Sequence, residues 1–485
     1  MSKENLTQKN IETVIGLEVH LQFGTKTKIF CSCANEFGKD PNTNTCPVCL
    51  GLPGSLPVLN KTALDYAIKV GLALNCRINS LIKFDRKNYY YPDLPKGYQI
   101  SQYDFPIGHD GHVEVKSKKG SQEVRIHRAH LEEDAGKLIH CPEDQCSLVD
   151  YNRTGTPLME IVTEPDMRSA QEAYDYLQTV KLILQYLDVS DCDMEKGSLR
   201  CDANISVRKQ GDSKLGTKAE IKNLNSFKAV KAALEFEQQR QSQMLITGQE
   251  IIQETRLWDD DKGLTLPMRT KEAAHDYRYF PEPDLVPFTV EIQDIEKIRS
   301  SLPEFPNQKL SRFKADYGLS DYDAQILIQD PALAQFFEDC CKQDTPPKKV
   351  CNWIAGPLLK ELNDRKSSIK DIGLSAKSFT KLIAKVENGT VSNLVGKDIL
   401  YTLLNTNKDV DKIIEEEGLT QVSDDGALEE ILDDVIKENG NVVTQIREGN
   451  ANAIGFLIGQ AMKKSKGKAN PKKAGELLKR RLHNE

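Results

Sequence analysis

The chain carries two close cysteine pairs near its N-terminus, Cys31-Ser32-Cys33 and Cys46-Pro47-Val48-Cys49, separated by twelve residues. Two such pairs joined by a short loop can supply four thiolates to a tetrahedral zinc; the competing reading is four unliganded thiols. With sulfur at all four positions the zinc would be structural, because no position is left for a substrate. Carboxylates and an imidazole form a second set. Glu18 and His20 stand two apart, Asp202 lies between Arg200 and Asn204 on the same alternation, and Glu220 lies likewise between Lys218 and Lys222. Any one of these stretches reads as a solvated strand face, yet together they concentrate groups able to hold a cation or act as general bases. Glu132-Glu133-Asp134 follows His127 and His130, and is either a charged turn or part of the same chemistry. Glu160 sits among Leu158, Met159, Ile161 and Val162. Buried there, its carboxylate needs a partner or a metal; the alternative is a sheet edge.

A third group is aromatic and basic, the run KFDRKNYYYP from Lys83 to Pro92. Tyrosines beside cations can stack bases while the cations meet phosphates, and a tyrosine run is equally an ordinary strand signature. The C-terminal stretch Lys463 to Glu485 holds nine basic and two acidic residues, while Asp409 to Glu438 holds twelve acidic and two basic. A basic helix end is either a solvated face or a surface for RNA phosphates.

These side chains need elements to hold them. From Thr13 to Phe23 the odd positions Ile15, Leu17, Val19, Leu21 and Phe23 are apolar. The period of a strand puts Glu18, His20 and Gln22 on the opposite face. The same alternation runs through Leu199, Cys201, Ala203, Ile205 and Val207, and through Ala219 and Ile221. Several antiparallel strands with one apolar and one polar face point to an α+β domain rather than a doubly wound sheet. Ser169 and Glu172 have capping-box spacing ahead of Ala173, Leu177, Val180, Leu184 and Leu187, which predicts a helix. A second helix is predicted from Ser226 to about Gly248. Five prolines between Pro281 and Pro306 precede a switch to helical sequence and mark a domain boundary.

At 485 residues the chain predicts about three domains. Its 39% hydrophobic content supplies ordinary cores, and no run reaches the ~18 apolar residues of a membrane span. The polar start lacks a signal-peptide pattern, so a cytoplasmic protein with reduced thiols is expected. A net charge of −7 argues against binding nucleic acid by global charge and says nothing about local patches. Neither the GxxxxGK[ST] nor the GxGxxG phosphate cradle is present, nor a GxSxG elbow. No Gly/Ser-rich amidase tract occurs either, so if ammonia is used, this chain does not release it.

The segments VIGLEVH (Val14–His20), FDRKNYYYP (Phe84–Pro92), LEEDAGK (Leu131–Lys137), GSLRCDAN (Gly197–Asn204), KNLNS (Lys222–Ser226), DYRYFPE (Asp276–Glu282) and GFLIGQ (Gly455–Gln460) resemble the B subunits of glutamyl/aspartyl-tRNA amidotransferases. The resemblance spans nearly the whole chain. It implies an α+β architecture: a cradle-like antiparallel-sheet catalytic domain over residues 11–298, a zinc-binding insertion at 31–49, an all-α domain at 299–408 and a small helical tail domain at 409–485 that binds tRNA. Residues 1–10 would be a disordered extension. The implied reaction uses ATP and Mg to phosphorylate the side-chain carboxylate of Glu-tRNA(Gln) and/or Asp-tRNA(Asn). Ammonia from a partner amidase subunit then displaces phosphate, giving Gln-tRNA(Gln) or Asn-tRNA(Asn). The implied magnesium ligands are Glu18, His20, Glu133 and Glu160, with Asp202 in the same pocket and Lys87 on the catalytic face. Lys87, Lys218 or Lys222 would offset phosphoryl charge. Implied partners are the amidase (A) subunit and a small C subunit in a heterotrimer. The zinc, on Cys31, Cys33, Cys46 and Cys49, rests on spacing in this chain. The reading from a different class is a non-catalytic, zinc-dependent tRNA-binding module.

Overall fold

The computed structural model describes residues 10–117, 120–141, 145–268, 277–406, 408–420, 425–447, 453–465 and 469–483. The extension expected over residues 1–10 lies outside them except for Asn10, as do Asp276 of the DYRYFPE motif and Lys466 and Lys468 of the basic tail. The chain divides into two units, meeting in sequence at Phe305 and Pro306, the last of the five boundary prolines.

Strands of the first unit run in chain order β1 (Ile11–Gln22), β2 (Arg77–Ile78), β3 (Leu81–Ile82), β4 (Asp85–Asn88), β5 (Tyr98–Ser101), β6 (Gly108–Ser117), β7 (Gly120–Glu133) and β8 (Lys137–Cys141). They continue as β9 (Cys146–Asp150), β10 (Pro157–Thr163), β11 (Leu199–Lys209), β12 (Ala219–Lys222), β13 (Glu254–Asp259), β14 (Leu264–Pro267), β15 (Phe280–Pro281) and β16 (Phe288–Thr289). Nine of them form one sheet in the order β14-β13-β12-β11-β1-β10-β7-β6-β2. The predicted alternation appears in β1, where Ile15, Leu17, Val19 and Leu21 are buried. Their neighbours across the sheet, Leu199, Cys201, Ala203 and Ile205 on β11 and Met159 and Ile161 on β10, are buried on the same face. One pairing departs from the antiparallel expectation. β12 and β13 run parallel, because a whole helix separates them and returns the chain to the same end of the sheet.

That helix is α4 (Phe227–Thr247), after α1 (Pro47–Leu50), α2 (Lys61–Ala73) and α3 (Ala170–Leu187). Both predicted N-caps are in place: Ser169 accepts from the Glu172 N–H at 3.3 Å and Ser226 from the Ala229 N–H at 3.0 Å. The return half of the α3 box reaches one residue further, since Glu172 accepts from the N–H of Arg168. Helix α4 stops at Gly248, whose φ of +70° is the left-handed conformation that suits glycine. Helices α2, α3 and α4 cover the apolar face and share a core with it. The polar face is thereby left to line the site. A smaller sheet, β15-β4-β5, adjoins the end of β7.

The helical pattern starts before the unit boundary: α5 (Ile292–Ser300) belongs to the first unit, packing Ile295 and Ile298 into its core. The second unit is helical. It holds one apolar core from Leu310 to Ile414 and another from Leu428 to Leu482. Pro357 falls inside a wide helical turn at Ile354–Leu358 between two α-helical stretches. Such a turn tolerates the missing proline donor. Among the described residues no helix is long and apolar enough to cross a membrane.

Candidate functional site

Strand β1 runs through the middle of the large sheet, so its polar face has neighbours on both sides. Register puts Arg200 of β11, His20 of β1, Glu160 of β10 and His130 of β7 in one row across four strands. Two residues along, Glu18 stands opposite Asp202, and further out Asn204 stands opposite Glu220 of β12. Residues separated by up to about two hundred positions thus share one surface because directly opposed side chains in a sheet lie about 5 Å apart.

Two groups of ligand atoms converge there. His20, Glu132 and Glu160 each offer an atom within 4.8 Å of the others, and Glu18, Asp202 and Glu220 do the same. In the first group His130 Nε2 donates to Glu160 at 2.9 Å and lies 3.3 Å from Glu132, while the Ser101 hydroxyl donates to Glu132 at 3.0 Å. Burial would favour neutral imidazole, but the carboxylates of Glu160 and Glu132 outweigh it and raise His130 to about 9. Burial would likewise raise Glu160, and the charges of His130, His20 and Lys87 overcome it, holding this carboxyl well below its usual range. Glu18 goes the other way. Burial first, then the charges of Glu160, Asp202 and Glu220, raise it, against one hydrogen bond from Asn204 at 2.9 Å. Crowded carboxylates of this kind fit a divalent cation, which would relieve their mutual repulsion.

The cations have defined places. Lys222 Nζ meets Asp202 at 2.8 Å and Glu220 at 3.0 Å; burial opposes its charge, and those two carboxylates outweigh that effect and raise it. Lys218 lines a cavity of about 280 Å³ with Glu18, Gly16, Thr163, Ser206 and Gly216. Gly216 is required there, because a Cβ would stand 2.1 Å from the carbonyl oxygen of Val207. Lys87, on β4, packs its ammonium 4.9 Å from the Tyr277 ring centre. Burial works against its charge, while Glu132, Tyr279 and Glu160 raise it, so it stays cationic facing the first group.

The four residues expected to hold magnesium are not one constellation. Glu18, His20 and Glu160 share the polar face, but Glu133 does not. A strand's period of two turns Glu132 toward His20 and sends Glu133 to the opposite side of β7. There Glu133 pairs with Lys96, accepts from the Ile100 N–H at 2.9 Å, and lines a cavity of about 200 Å³ with Cys31, Cys49, Tyr98 and Asp284. Sequence reading singled out the cluster that contains Glu132 and His130 but gave neither residue a place among the metal ligands. Their i, i+2 spacing beside Glu133 was a usable signal, but the register that sets Glu160 opposite His130 was not visible. Asp134 closes the row, bound by Arg200 at 2.8 Å and Gln22 at 2.6 Å.

The four cysteines do come together. Cys31, Cys33, Cys46 and Cys49 place their sulfurs within 4.8 Å of one another. Cys46 and Cys49 sulfurs are 3.8 Å apart, the edge of a tetrahedron with zinc–sulfur bonds of about 2.3 Å. A hydrogen bond from Cys31 leads the influences that lower Cys49 to about 5, against burial and with help from the Cys46 N–H and Lys28. Lys28 is wholly buried, donating to the Asn44 carbonyl at 2.8 Å with its ammonium 3.8 Å from Cys49 sulfur. Four converging sulfurs with a neighbouring cation fit a structural zinc.

Residues 13–296 match the family model described as the GatB/GatE catalytic domain, and residues 335–482 match the GatB domain. The chain belongs to the GatB/GatE family. Curated relatives match over nearly their full length. The B subunit of the aspartyl/glutamyl-tRNA(Asn/Gln) amidotransferase of Thermoanaerobacter pseudethanolicus is 51% identical over 471 residues, 97% of this chain and 99% of that protein. The protein of the same name in Carboxydothermus hydrogenoformans is 50% identical over 477 residues, 98% of this chain and 99% of its own. That in Clostridium beijerinckii is 51% identical over 475 residues, with 98% and 99% covered. Within this GatB/GatE member, every polar residue of the row across β11, β1, β10 and β7 lies inside the matched catalytic domain.

Proposed function

We propose that this chain is the carboxylate-activating subunit of a tRNA-dependent amidotransferase, converting Glu-tRNA(Gln) and/or Asp-tRNA(Asn) to the amidated forms. The observation that carries the reading is the convergence of His20, Glu132 and Glu160, beside Glu18, Asp202 and Glu220, on one face of the sheet. Membership of a family whose curated relatives bear the amidotransferase name supports it.

A side-chain carboxylate resists attack by ammonia until one oxygen becomes a leaving group, and phosphorylation by ATP supplies one. Magnesium, when bound by the two carboxylate groups and His20, supplies charge neutralisation on the transferring phosphate. The residues do the positioning. Lys222 and Lys218 stand at the β12 end of the row, where they meet nucleotide phosphates. Lys87 faces the opposite end and offsets charge on the substrate carboxyl. His130 orients Glu160 and Glu132 through its Nε2 hydrogen bonds. Ammonia comes from a partner amidase subunit, and a small third subunit completes a heterotrimer in the cytoplasm. The Cys31, Cys33, Cys46 and Cys49 cluster holds a structural zinc.

The test assays this chain with its amidase partner, and separately with free ammonium salt, on each mischarged tRNA. Amidated tRNA formed only with ATP and magnesium supports the assignment. ATP hydrolysis at full rate without tRNA would instead indicate a phosphohydrolase.

A further inference from the structure

Tyr103 follows β5 and is 56% exposed, yet its backbone is firmly held. Its N–H donates to the buried carboxylate of Asp85 at 3.0 Å, and Asp85 pairs with Lys83 at 3.1 Å. The preceding Gln102 accepts from the Leu131 N–H at 2.9 Å, and Ser101 binds Glu132. The ring is therefore pinned beside the end of β7 that carries the reactive carboxylates. It lies flat on Tyr279, with centres 4.5 Å apart and planes inclined by 20°. Tyr279 meets Tyr277 edge-on at 6.2 Å, and Tyr277 meets Tyr89 at 5.9 Å, next to Lys87. Tyr279 feels the charges of Lys87, Glu132 and Glu160. An aromatic ladder thus leads from the carboxylate row to solvent and ends on an exposed ring with one side stacked.

An exposed ring held in this way gains little for the fold, but it offers a flat surface to another π system. The substrate of the proposed amidation carries one at the right place. The amino acid is esterified through its α-carboxyl to the ribose of the 3′-terminal adenosine, so the reacting side-chain carboxyl is tethered to an adenine nucleoside. ATP carries an adenine too, but the cations suited to its phosphates, Lys218 and Lys222, lie at the far end of the row. We propose that Tyr103, backed by Tyr279, is the stacking platform for the 3′-terminal adenine of the aminoacylated tRNA and positions its side-chain carboxyl over the Glu132 group. This inference rests on the proposed function.

The experiment compares Tyr103→Ala, Tyr103→Phe and Tyr103→Trp in the assembled amidotransferase. Tyr103→Ala is expected to raise KM for mischarged tRNA about tenfold, the usual loss for one base stack, and to leave KM for ATP unchanged. The two aromatic variants are expected to restore it, and thermal melts to match the parent. A tRNA carrying 2-aminopurine as its last base is expected to be quenched on binding the parent and not the alanine variant. An unchanged KM for tRNA, a shift confined to ATP, or failure of phenylalanine to rescue would overturn the platform. If the parent enzyme amidates neither mischarged tRNA, the proposed function fails first, which separates the two outcomes.

Discussion

Glu132 and Glu133 are adjacent, both carboxylates and both buried, yet their surroundings give them different work. Glu132 faces His20 and Glu160; Glu133 is neutralised by Lys96 on the other side of the strand. Glu132→Gln should raise the magnesium concentration for half-maximal activity at least tenfold, the scale seen when a metal site loses a supporting carboxylate. Glu133→Ala should instead leave Lys96 as an unpaired buried charge and destabilise the unit by about 3 kcal/mol. A magnesium titration and a thermal melt on each variant distinguish them. Equal magnesium dependence in both would remove the assignment to Glu132. At the same scale, metal analysis of purified protein should find about one zinc per chain, and Cys33→Ser should release it to a chromogenic chelator. A metal-free protein with four alkylatable thiols would contradict the cluster.

Among the elements, α4 shows how the edge of the sheet is tied down. Glu237 is fully buried and accepts from Arg240 at 2.8 Å, with Arg256 of β13 at 3.0 Å and Gln241 at 2.9 Å. Burial would raise its carboxyl, but the hydrogen bonds from Arg240, Thr265 and Gln241 outweigh it and lower the group below the ordinary 4.5. A carboxyl lowered in the folded state contributes stability above its unfolded value, and that contribution is lost as pH falls through the folded one. Glu237→Gln should therefore cost about 3 kcal/mol at pH 7. The difference from the parent should narrow as pH drops below 4.5. Urea melts across pH check this, and a difference independent of pH would show that packing rather than charge holds α4 to β13. The pairing lies on long arginine side chains reaching between elements, which helical periodicity in α4 does not reveal.

Across the whole molecule, charge is segregated in sequence but partly reconciled in the fold. The acidic helix at Asp425–Glu438 receives Arg481 at Glu429 and Asp433, and Lys464 at Asp434 and Glu438. Those two cations are engaged with their own chain, which leaves less unneutralised charge on the basic tail. Lys472, Lys479 and Arg480 are exposed on the last helix. Replacing all three with alanine should flatten the slope of log affinity for tRNA against log salt by about 2. An unaltered slope would place tRNA contacts elsewhere.

The paired faces of β1, β11 and β12 were legible because alternation is a local property, written in consecutive residues. The caps of α3 and α4 and the close cysteine pairs were legible for the same reason: their partners lie within a few residues along the chain. The identity of the carboxylates that meet was not legible. It depends on strand register, and a shift of one residue in β7 exchanges Glu132 for Glu133 on the site face. The parallel return of β13, the ladder from Tyr89 to Tyr103 and the pairing of Lys96 with Glu133 all join distant segments. Their placement is fixed by burying one continuous apolar face under α2, α3 and α4, an energy summed over the whole unit and not readable from any one stretch of it.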